Sequence, residues 1–304
     1  MIDVQGLTKR YGSFLALNNI SFKANAGEII GFLGPNGAGK TTTMRILTGY
    51  MPPTAGTAKI AGFDIVTDSL EARRKIGYLP ETVPLYPDMT VLGYVEFMAD
   101  LRGVKNKRTQ ALRALEQVDL AHRAKSLVRS ISKGMRQRLG LAQAIVHEPP
   151  VLILDEPTIG LDPQQVRDVR ELVRSLGKNH TIIFSTHILT EAEQICDRVL
   201  IINQGEIIAQ DTPAQLRDRL QSSGRVYLRA RGQTQKLPDI LKNLPNVEAV
   251  EPYQDGLIVL PRARKEIRPA LAAAVANANL ELLELRPLAT SLEDIFIELT
   301  EPHA

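Results

Sequence analysis

The segment at residues 34–41 constrains the fold most, because its sequence, GPNGAGKT, fits the pattern G-x-x-x-x-G-K-[ST]. It follows an apolar run at residues 28–33, which predicts a buried strand, and it precedes a helical pattern. Glycines let such a loop curl until several N–H groups point inward, and the N-terminus of the next helix favours an anion. The segment therefore predicts a strand–loop–helix unit that binds the phosphates of a nucleotide.

Two side chains of this loop have roles that follow from the pattern. Lys40 would reach the β- and γ-phosphates, and the Thr41 hydroxyl would ligate Mg²⁺. The residues expected to bind the nucleotide here are Gly34, Asn36, Gly37, Ala38, Gly39, Lys40, Thr41 and Thr42.

The first two thirds of the chain alternate short apolar runs with amphipathic stretches. Runs rich in Ile and Val at residues 151–154, 181–184 and 199–202 predict strands that are covered on both faces of a sheet. Strands separated by helical patterns imply parallel βαβ units, so an α/β domain is expected. The hydrophobic fraction of 44% and the charged fraction of 23% exclude a disordered or collagenous chain.

Two carboxylates, Asp155 and Glu156, follow the apolar run at residues 151–154. Ligands of open α/β sheets bind at the carboxyl edge, where this strand would end. Asp155 suits Mg²⁺, and Glu156 is the candidate to position and polarise an attacking water. A strand ending in Asp-Glu is by itself more often the start of a solvated loop, but a neighbouring phosphate loop favours the catalytic interpretation.

His187 follows the apolar run at residues 181–184, on a strand expected beside the two phosphate-binding strands. A lone histidine is usually structural, but this placement favours a γ-phosphate contact. The other histidines show no metal-ligand spacing and receive no function; they are His122, His147, His180 and His303.

Composition limits the partners and the compartment. Basic and acidic residues number 37 and 34, a net charge of +3, which is too small an excess for a dedicated nucleic-acid binder. No apolar run approaches the ~18 residues that span a bilayer, and no secretory signal is visible. A single cysteine, Cys196, excludes an internal disulfide, so a soluble chain in the reducing cytosol is expected.

Three further motifs carry a family resemblance. Residues 131–138, ISKGMRQR, resemble the signature segment of ATP-binding-cassette (ABC) proteins, which is usually LSGGQ followed by a Gln-Arg pair, and residues 159–162, IGLD, resemble the D-loop. Tyr11 stands where that family stacks an aromatic ring on adenine, although it could also be a surface residue beside a turn. Over about residues 1–220 the chain resembles the nucleotide-binding subunit of an ABC transporter.

The resemblance implies a Mg²⁺-dependent ATPase with a mixed sheet and a helical subdomain at about residues 88–150. In such cassettes two copies bind head to tail around two ATP molecules, and a homodimer is expected here. Ser132 and Gly134 would then contact the nucleotide held by the partner copy, while Asp162 couples the two sites. A serine hydroxyl at a helix N-terminus also suits a phosphate electrostatically.

Three residues depart from the family pattern. Glu81 replaces the usual glutamine of the family's Q-loop. A carboxylate there can still bind Mg²⁺ or orient water. The hypothesis is that Glu81 keeps the sensing role of the Q-loop and depends more on Mg²⁺. Lys133 replaces the first glycine of the signature and either supplies a cation in trans or faces solvent, and solvent is favoured. Met135 replaces Gln. Together these departures resemble cassettes of ABC-2-type exporters of the drug-resistance, sodium-extrusion and gliding-motility kinds.

Two classes of function remain open. The chain is either the motor of a membrane transporter, acting on a separate permease from the cytoplasmic face of the membrane, or a soluble ATPase that works on DNA or ribosomes. Sustained heptads and a second phosphate loop, which mark the second class, are missing, so the transporter is favoured. The permease contact is expected within residues 88–127, most of which would form the core of the helical subdomain.

A second, smaller domain is expected at residues 225–304. The pattern predicts strands at 225–229, 247–251, 257–260 and 280–285 and helices at 236–243 and 265–278, a βαββαβ order typical of ferredoxin-like domains. A last helix is expected at about 291–299. This domain carries no catalytic pattern, so a regulatory or dimerisation role is expected, with binding of an effector as the alternative.

Overall fold

The computed structural model describes residues 1–216, 226–232, 234–262 and 266–287. The chain divides into two compact units, residues 1–213 and residues 214–304. The boundary predicted near residue 222 and the helix predicted at 291–299 lie outside the described residues, so both stay predictions.

The central sheet of the first unit contains six strands in the order β10-β9-β3-β8-β7-β6. Strands β9, β3, β8, β7 and β6 are parallel, and β10 joins the edge antiparallel. The four strands predicted from apolar runs are confirmed as β3, β7, β8 and β9, and their burial explains their continuous apolar sequence. The strands are β3 (Ile29–Leu33), β6 (Ile76–Leu79), β7 (Val151–Asp155), β8 (Thr181–Thr186), β9 (Arg198–Asn203) and β10 (Glu206–Asp211).

A second sheet in this unit is antiparallel, in the order β2-β1-β4-β5. Its strands are β1 (Ile2–Tyr11), β2 (Phe14–Ala24), β4 (Ala55–Ile60) and β5 (Phe63–Asp64). Its apolar side chains share one core with the central sheet, in which Phe22 packs on Phe32 at 5.7 Å between ring centres. The mixed α/β architecture predicted for the cassette is therefore present.

Helices complete the first unit. They are α1 (Lys40–Leu47), α2 (Ser69–Arg74), α3 (Val91–Leu101), α4 (Lys107–Gln117), α5 (Lys133–Ile145), α6 (Pro163–Gly177) and α7 (Leu189–Ile195). Helices α3, α4 and α5 contact one another and form the helical part between β6 and β7. Three of the helices begin at side-chain caps, with Thr90, Ser132 and Asp162 accepting from backbone N–H groups.

The second unit has the predicted βαββαβ order. Its strands are β11 (Val226–Arg231), β12 (Val247–Tyr253), β13 (Gly256–Pro261) and β14 (Glu281–Pro287), and its helices are α8 (Leu237–Lys242) and α9 (Arg268–Asn277). The antiparallel sheet has the order β12-β13-β11-β14, which is the ferredoxin-like arrangement. Helix α9 begins at Arg268, later than predicted, because Pro269 is favoured in a first turn.

Candidate nucleotide site

The phosphate loop lies between the end of β3 and the start of α1, as predicted. Gly39 caps α1 with φ of +110°, and a Cβ there would come within 2.9 Å of the Ala16 carbonyl oxygen. A Cβ on Gly34 would come within 2.4 Å of the Ile202 carbonyl oxygen. Both positions therefore require glycine, one for its backbone conformation and both for space.

Lys40 is held at the centre of this loop. Its Nζ donates hydrogen bonds to the carbonyl oxygens of Gly34 at 2.7 Å and Pro35 at 3.3 Å. The same ammonium lies 3.3 Å from Glu156 Oε1, and both side chains are buried. The loop and the carboxylates after β7 thus meet around one buried cation.

Asp155 ends β7 with its side chain fully buried. Ser185 Oγ donates to Asp155 Oδ1 at 2.6 Å, Thr41 Oγ1 lies 3.5 Å from the same oxygen, and Oδ2 has no hydrogen-bond partner. Burial raises the pKa of Asp155 above its ordinary value, the charges of Glu156 and Glu81 add to this, and the two hydroxyl groups act in the opposite direction.

Ser185 has a role that sequence reasoning missed. Its hydroxyl also accepts from the Glu156 backbone N–H at 2.9 Å, so it fixes both carboxylate residues. Ser185 pairs with Asp155 in the register of β8 on β7. The signal was a serine at the end of the strand expected beside the carboxylates.

Glu156 and His187 form a pair across the ends of two strands. His187 Nδ1 lies 2.9 Å from Glu156 Oε2, while the other carboxylate oxygen faces Lys40. The Glu156 backbone has φ of +47°, a left-handed conformation that is uncommon outside glycine. Backbone strain of this kind collects at functional sites.

The residues at this edge fit Mg²⁺. The described residues contain no group of three or more His, Cys, Asp or Glu that could hold a metal. Mg²⁺ usually takes one or two protein carboxylates and completes its shell with phosphates and water. Asp155, with its unpartnered buried Oδ2, and the adjacent Thr41 hydroxyl supply that donor set.

A cleft of about 570 Å³ opens over the phosphate loop. Tyr11 lines it, and the Lys9 ammonium lies 5.4 Å from the centre of the Tyr11 ring. Phe14, which faces Tyr11 across the β1–β2 turn, lines the same cleft with 62% of its surface exposed. Sequence reasoning missed Phe14, although its distance from Tyr11 across a two-residue turn was a usable signal. Glu81, after β6, also lines this cleft.

The three residues expected to act on a partner copy lie elsewhere. Ser132 caps α5 and accepts from Met135 N–H at 3.2 Å, and Gly134 is buried against the Gln165 side chain. Asp162 caps α6 and accepts from Gln165 N–H at 2.9 Å. None of the three is among the described residues that line the cleft over Lys40.

Lys133 is exposed, with its ammonium against Gly160 of the predicted D-loop. Exposure in a single copy fits both alternatives, a cation supplied in trans and a side chain that faces solvent, so the choice of solvent stays a prediction.

Comparisons with known proteins match residues 17–159 to a family described as "ABC transporter". YdbJ of Bacillus subtilis (strain 168), named an uncharacterized ABC transporter ATP-binding protein, is 36% identical over 100% of this chain and 96% of its own length. The bacitracin transport ATP-binding protein BcrA of Bacillus licheniformis is 37% identical over 98% of this chain and 97% of its own length.

Solved structures give the same result. The ATP-binding cassette MJ0796, solved as a dimer in a post-hydrolysis state with ADP and Pi, has a TM-score of 0.63 and 27% identity. The match covers 70% of this chain and 98% of that one. An ATP-binding subunit of an ABC transporter has a TM-score of 0.65 and 32% identity over 72% of this chain and 93% of that one.

The phosphate loop, the paired carboxylates and the parallel sheet define a P-loop nucleotide hydrolase. Because relatives above 30% identity match along nearly its whole length, the chain belongs to the ATP-binding proteins of ABC transporters. It is accordingly an ATP-binding and ATP-hydrolysing subunit of that family.

Proposed function

We propose that this protein is the Mg²⁺-dependent ATPase subunit of an ABC-2-type exporter, acting on a separate permease. The observation that carries the proposal is the meeting of Lys40, Asp155, Glu156 and His187 at the ends of three adjacent parallel strands. Relatives with matching lengths are named for linearmycin resistance, bacitracin transport and daunorubicin resistance. These names cite different compounds, whereas the residues that carry the proposal act only on ATP, so we assign selection of the cargo to the permease.

Each polar group has a proposed step in ATP hydrolysis. Lys40 binds the β- and γ-phosphates, Tyr11 stacks on the adenine, and Thr41 and Asp155 hold Mg²⁺. Bound Mg²⁺ would neutralise charge on the phosphate oxygens as the bond to the leaving group breaks. Glu81 completes the metal site or orients water from the Q-loop side.

Glu156 is the proposed general base for the attacking water. Its contact with His187 Nδ1 fixes the carboxylate and leaves the other ring nitrogen of His187 for the γ-phosphate. A base must lie within hydrogen-bond reach of the water it deprotonates, so the orientation of Glu156 matters as much as its charge.

A second copy of the cassette completes each site in this proposal. Ser132 and Gly134 would contact the γ-phosphate held by the partner, and Asp162 would couple the two sites. The start of α5 supports this, because its first N–H groups and the Ser132 hydroxyl suit an anion. The dimeric structure of MJ0796 supports the arrangement by similarity.

The proposed permease contact is a cavity of about 900 Å³ in the first unit. Exposed apolar side chains line it, with Tyr50 76%, Leu70 57% and Leu101 65% exposed, together with Arg73. The permease contact was predicted within residues 88–127, which include Leu101. The cavity adds to that surface residues that precede Glu81 in the chain, such as Tyr50 and Leu70. Apolar surface of this kind is expected where a protein partner binds.

The proposed location is peripheral, on the cytoplasmic face of the membrane that holds the permease. Within the described residues, no helix has the length and apolarity needed to cross a bilayer. For the second unit we propose a regulatory or dimerisation role; its described residues form a small core of their own, which contains none of the proposed ATPase residues.

The test replaces Glu156 with Gln, which removes the base and keeps the shape of the site. Turnover should fall by at least about 100-fold, the usual contribution of a general base, and a stable ATP-bound dimer should accumulate on size exclusion. Lys40→Ala should instead lose ATP affinity. Glu171→Gln, at an exposed position of α6, is the matched control. Full turnover in Glu156→Gln would contradict the mechanism.

A further inference from the structure

Glu191 is a fully buried carboxylate to which the proposed catalytic steps give no role. It lies in the first turn of α7. Its Oε2 accepts hydrogen bonds from Thr158 Oγ1 at 2.8 Å and from Thr186 Oγ1 at 2.9 Å. Burying a carboxylate costs free energy unless its partners compensate, so an apolar residue would have filled this space at lower cost.

The two hydroxyl groups belong to the two segments that present the candidate catalytic residues. Thr158 lies between Glu156 and Asp162, on the segment expected to meet the partner cassette. Thr186 immediately precedes His187, and its Oγ1 also accepts from Ile188 N–H at 3.0 Å, which closes the turn around that histidine. One carboxylate therefore ties both segments together.

A third connection runs to α6, the helix that Asp162 caps. Arg170 Nη2 lies 3.7 Å from Glu191 Oε1, too far for a hydrogen bond, while Arg170 Nη1 donates to Gln194 Oε1 at 2.6 Å. Glu191 Oε1 and Arg170 Nε are both buried and have no hydrogen-bond partner. The acceptor on Glu191 and the donor on Arg170 are therefore both available, and a small shift of α6 would let them form a hydrogen bond.

We propose that Glu191 is a positioning residue that links the D-loop to the catalytic pair. By holding Thr158 and Thr186 on one oxygen, it keeps His187 within hydrogen-bond distance of Glu156 and transmits a displacement of Asp162 to that pair. The inference rests on the proposed roles of Glu156, His187 and Asp162. It adds to them a buried carboxylate that is not among the described residues lining the nucleotide cleft.

The test measures ATP turnover by the purified full-length chain. Glu191→Ala should lower kcat by about 10- to 100-fold, as removal of outer-shell groups usually does, with little change in KM for ATP. Glu191→Gln keeps an acceptor oxygen for the two hydroxyl groups and should retain most of the turnover. Thr158→Val and Thr186→Val each remove one hydrogen bond to Glu191 and keep the shape of the side chain. Thr158→Ser keeps the hydroxyl group and should retain the hydrogen bond of residue 158. Glu171→Gln is again the control.

A purely structural role makes a different prediction. It would lower the thermal midpoint and leave kcat intact well below that temperature, and this result, or an unchanged kcat in Glu191→Ala, would overturn the inference. Should Glu191→Ala fail to fold, the two valine variants decide alone, since normal kcat in both would also overturn it. Active Glu156→Gln refutes the proposed function itself, whereas inactive Glu156→Gln beside normal Glu191 variants refutes only the positioning role.

Discussion

Charged side chains form clusters in two regions of the molecule that differ in burial. At the end of the central sheet, Lys40, Asp155 and Glu156 are all buried. On the β11 sheet of the second unit, Arg229 Nη1 donates to Asp255 Oδ2 at 2.6 Å, but the two side chains are 38% and 62% exposed.

This difference in burial predicts different roles for the two clusters. Buried charges cost free energy and persist where each one has a partner or a chemical role. Exposed ion pairs are screened by water and salt and contribute little to stability. The first cluster should therefore control activity, and the second should be nearly silent in both activity and stability.

The sharpest test of this contrast is Asp155→Asn. Loss of the carboxylate removes the proposed Mg²⁺ ligand, so turnover should be lost. The free energy of unfolding should rise, although turnover is lost. The pKa of Asp155 in the folded chain is raised above 3.8, so the ionised carboxylate opposes folding at neutral pH. The amide should unfold at higher denaturant concentration than the wild type near pH 7, without nucleotide.

The pH dependence has a defined sign. Because the pKa of Asp155 is higher in the folded chain than in the unfolded chain, protonation of Asp155 stabilises the fold. This stabilisation is complete at pH values below the pKa of the unfolded chain, and it is lost as the pH rises through the pKa of the folded chain. The advantage of Asp155→Asn should therefore shrink as pH falls toward 3.8, which denaturation at several pH values would measure. If Asp155→Asn were less stable than the wild type at pH 7, the raised pKa of Asp155 in the folded chain would be contradicted.

The second unit should respond mainly to its core. Leu228, on β11, is fully buried in the cluster that joins the sheet to α8 and α9. Leu228→Ala should lower the free energy of unfolding of this unit by about 2–5 kcal/mol, the usual cost of such a cavity. Hydrogen exchange at residues 226–287 would report it, with exposed Leu282→Ala as the control.

KM for ATP should stay the same in Leu228→Ala, since the described core of the second unit contains no ATPase residue. A parallel loss of ATP affinity would show that the two units do not act separately. Weaker association between copies at unchanged KM would support the dimerisation role.

A smaller effect is expected at the edge of the nucleotide cleft. Glu81 is exposed there, unlike the buried carboxylates, so it adds negative charge without a fixed partner. Glu81→Gln should keep ATP binding and change the Mg²⁺ concentration that gives half-maximal turnover. Measuring turnover against Mg²⁺ checks this, and an unchanged dependence would contradict the Mg²⁺ hypothesis for Glu81.

Local patterns predicted which polar residues lie at the carboxyl edge of the central sheet. The loop at Lys40 has a distinctive glycine spacing, and parallel strands end at one edge, so the sequence predicts Lys40, Asp155 and His187 at the ends of neighbouring strands. Both strands are fully buried, and their continuous apolar sequence reflects that burial.

Long-range pairings could not be predicted in the same way. Strand β1 pairs with β4, joining Ile2 to Ile60, and no local pattern specifies such a contact. The Glu191 network was hidden for a related reason. Its hydroxyl partners, Thr158 and Thr186, lie on separate segments, and a glutamate near a helix start looks like an ordinary favourable charge.

The smallest effect is expected from Arg229→Ala, the half-exposed counterpart of the buried charges of Lys40, Asp155 and Glu156. Arg229 has Asp255 and Glu284 as partners, but all three side chains reach solvent. Water replaces a lost exposed partner at little cost, so the denaturation midpoint followed by circular dichroism should match wild type at low and high salt. A loss as large as that of Leu228→Ala would mean that this cluster is a structural element of the second unit. The contrast drawn between buried and exposed charge would then fail for this sheet.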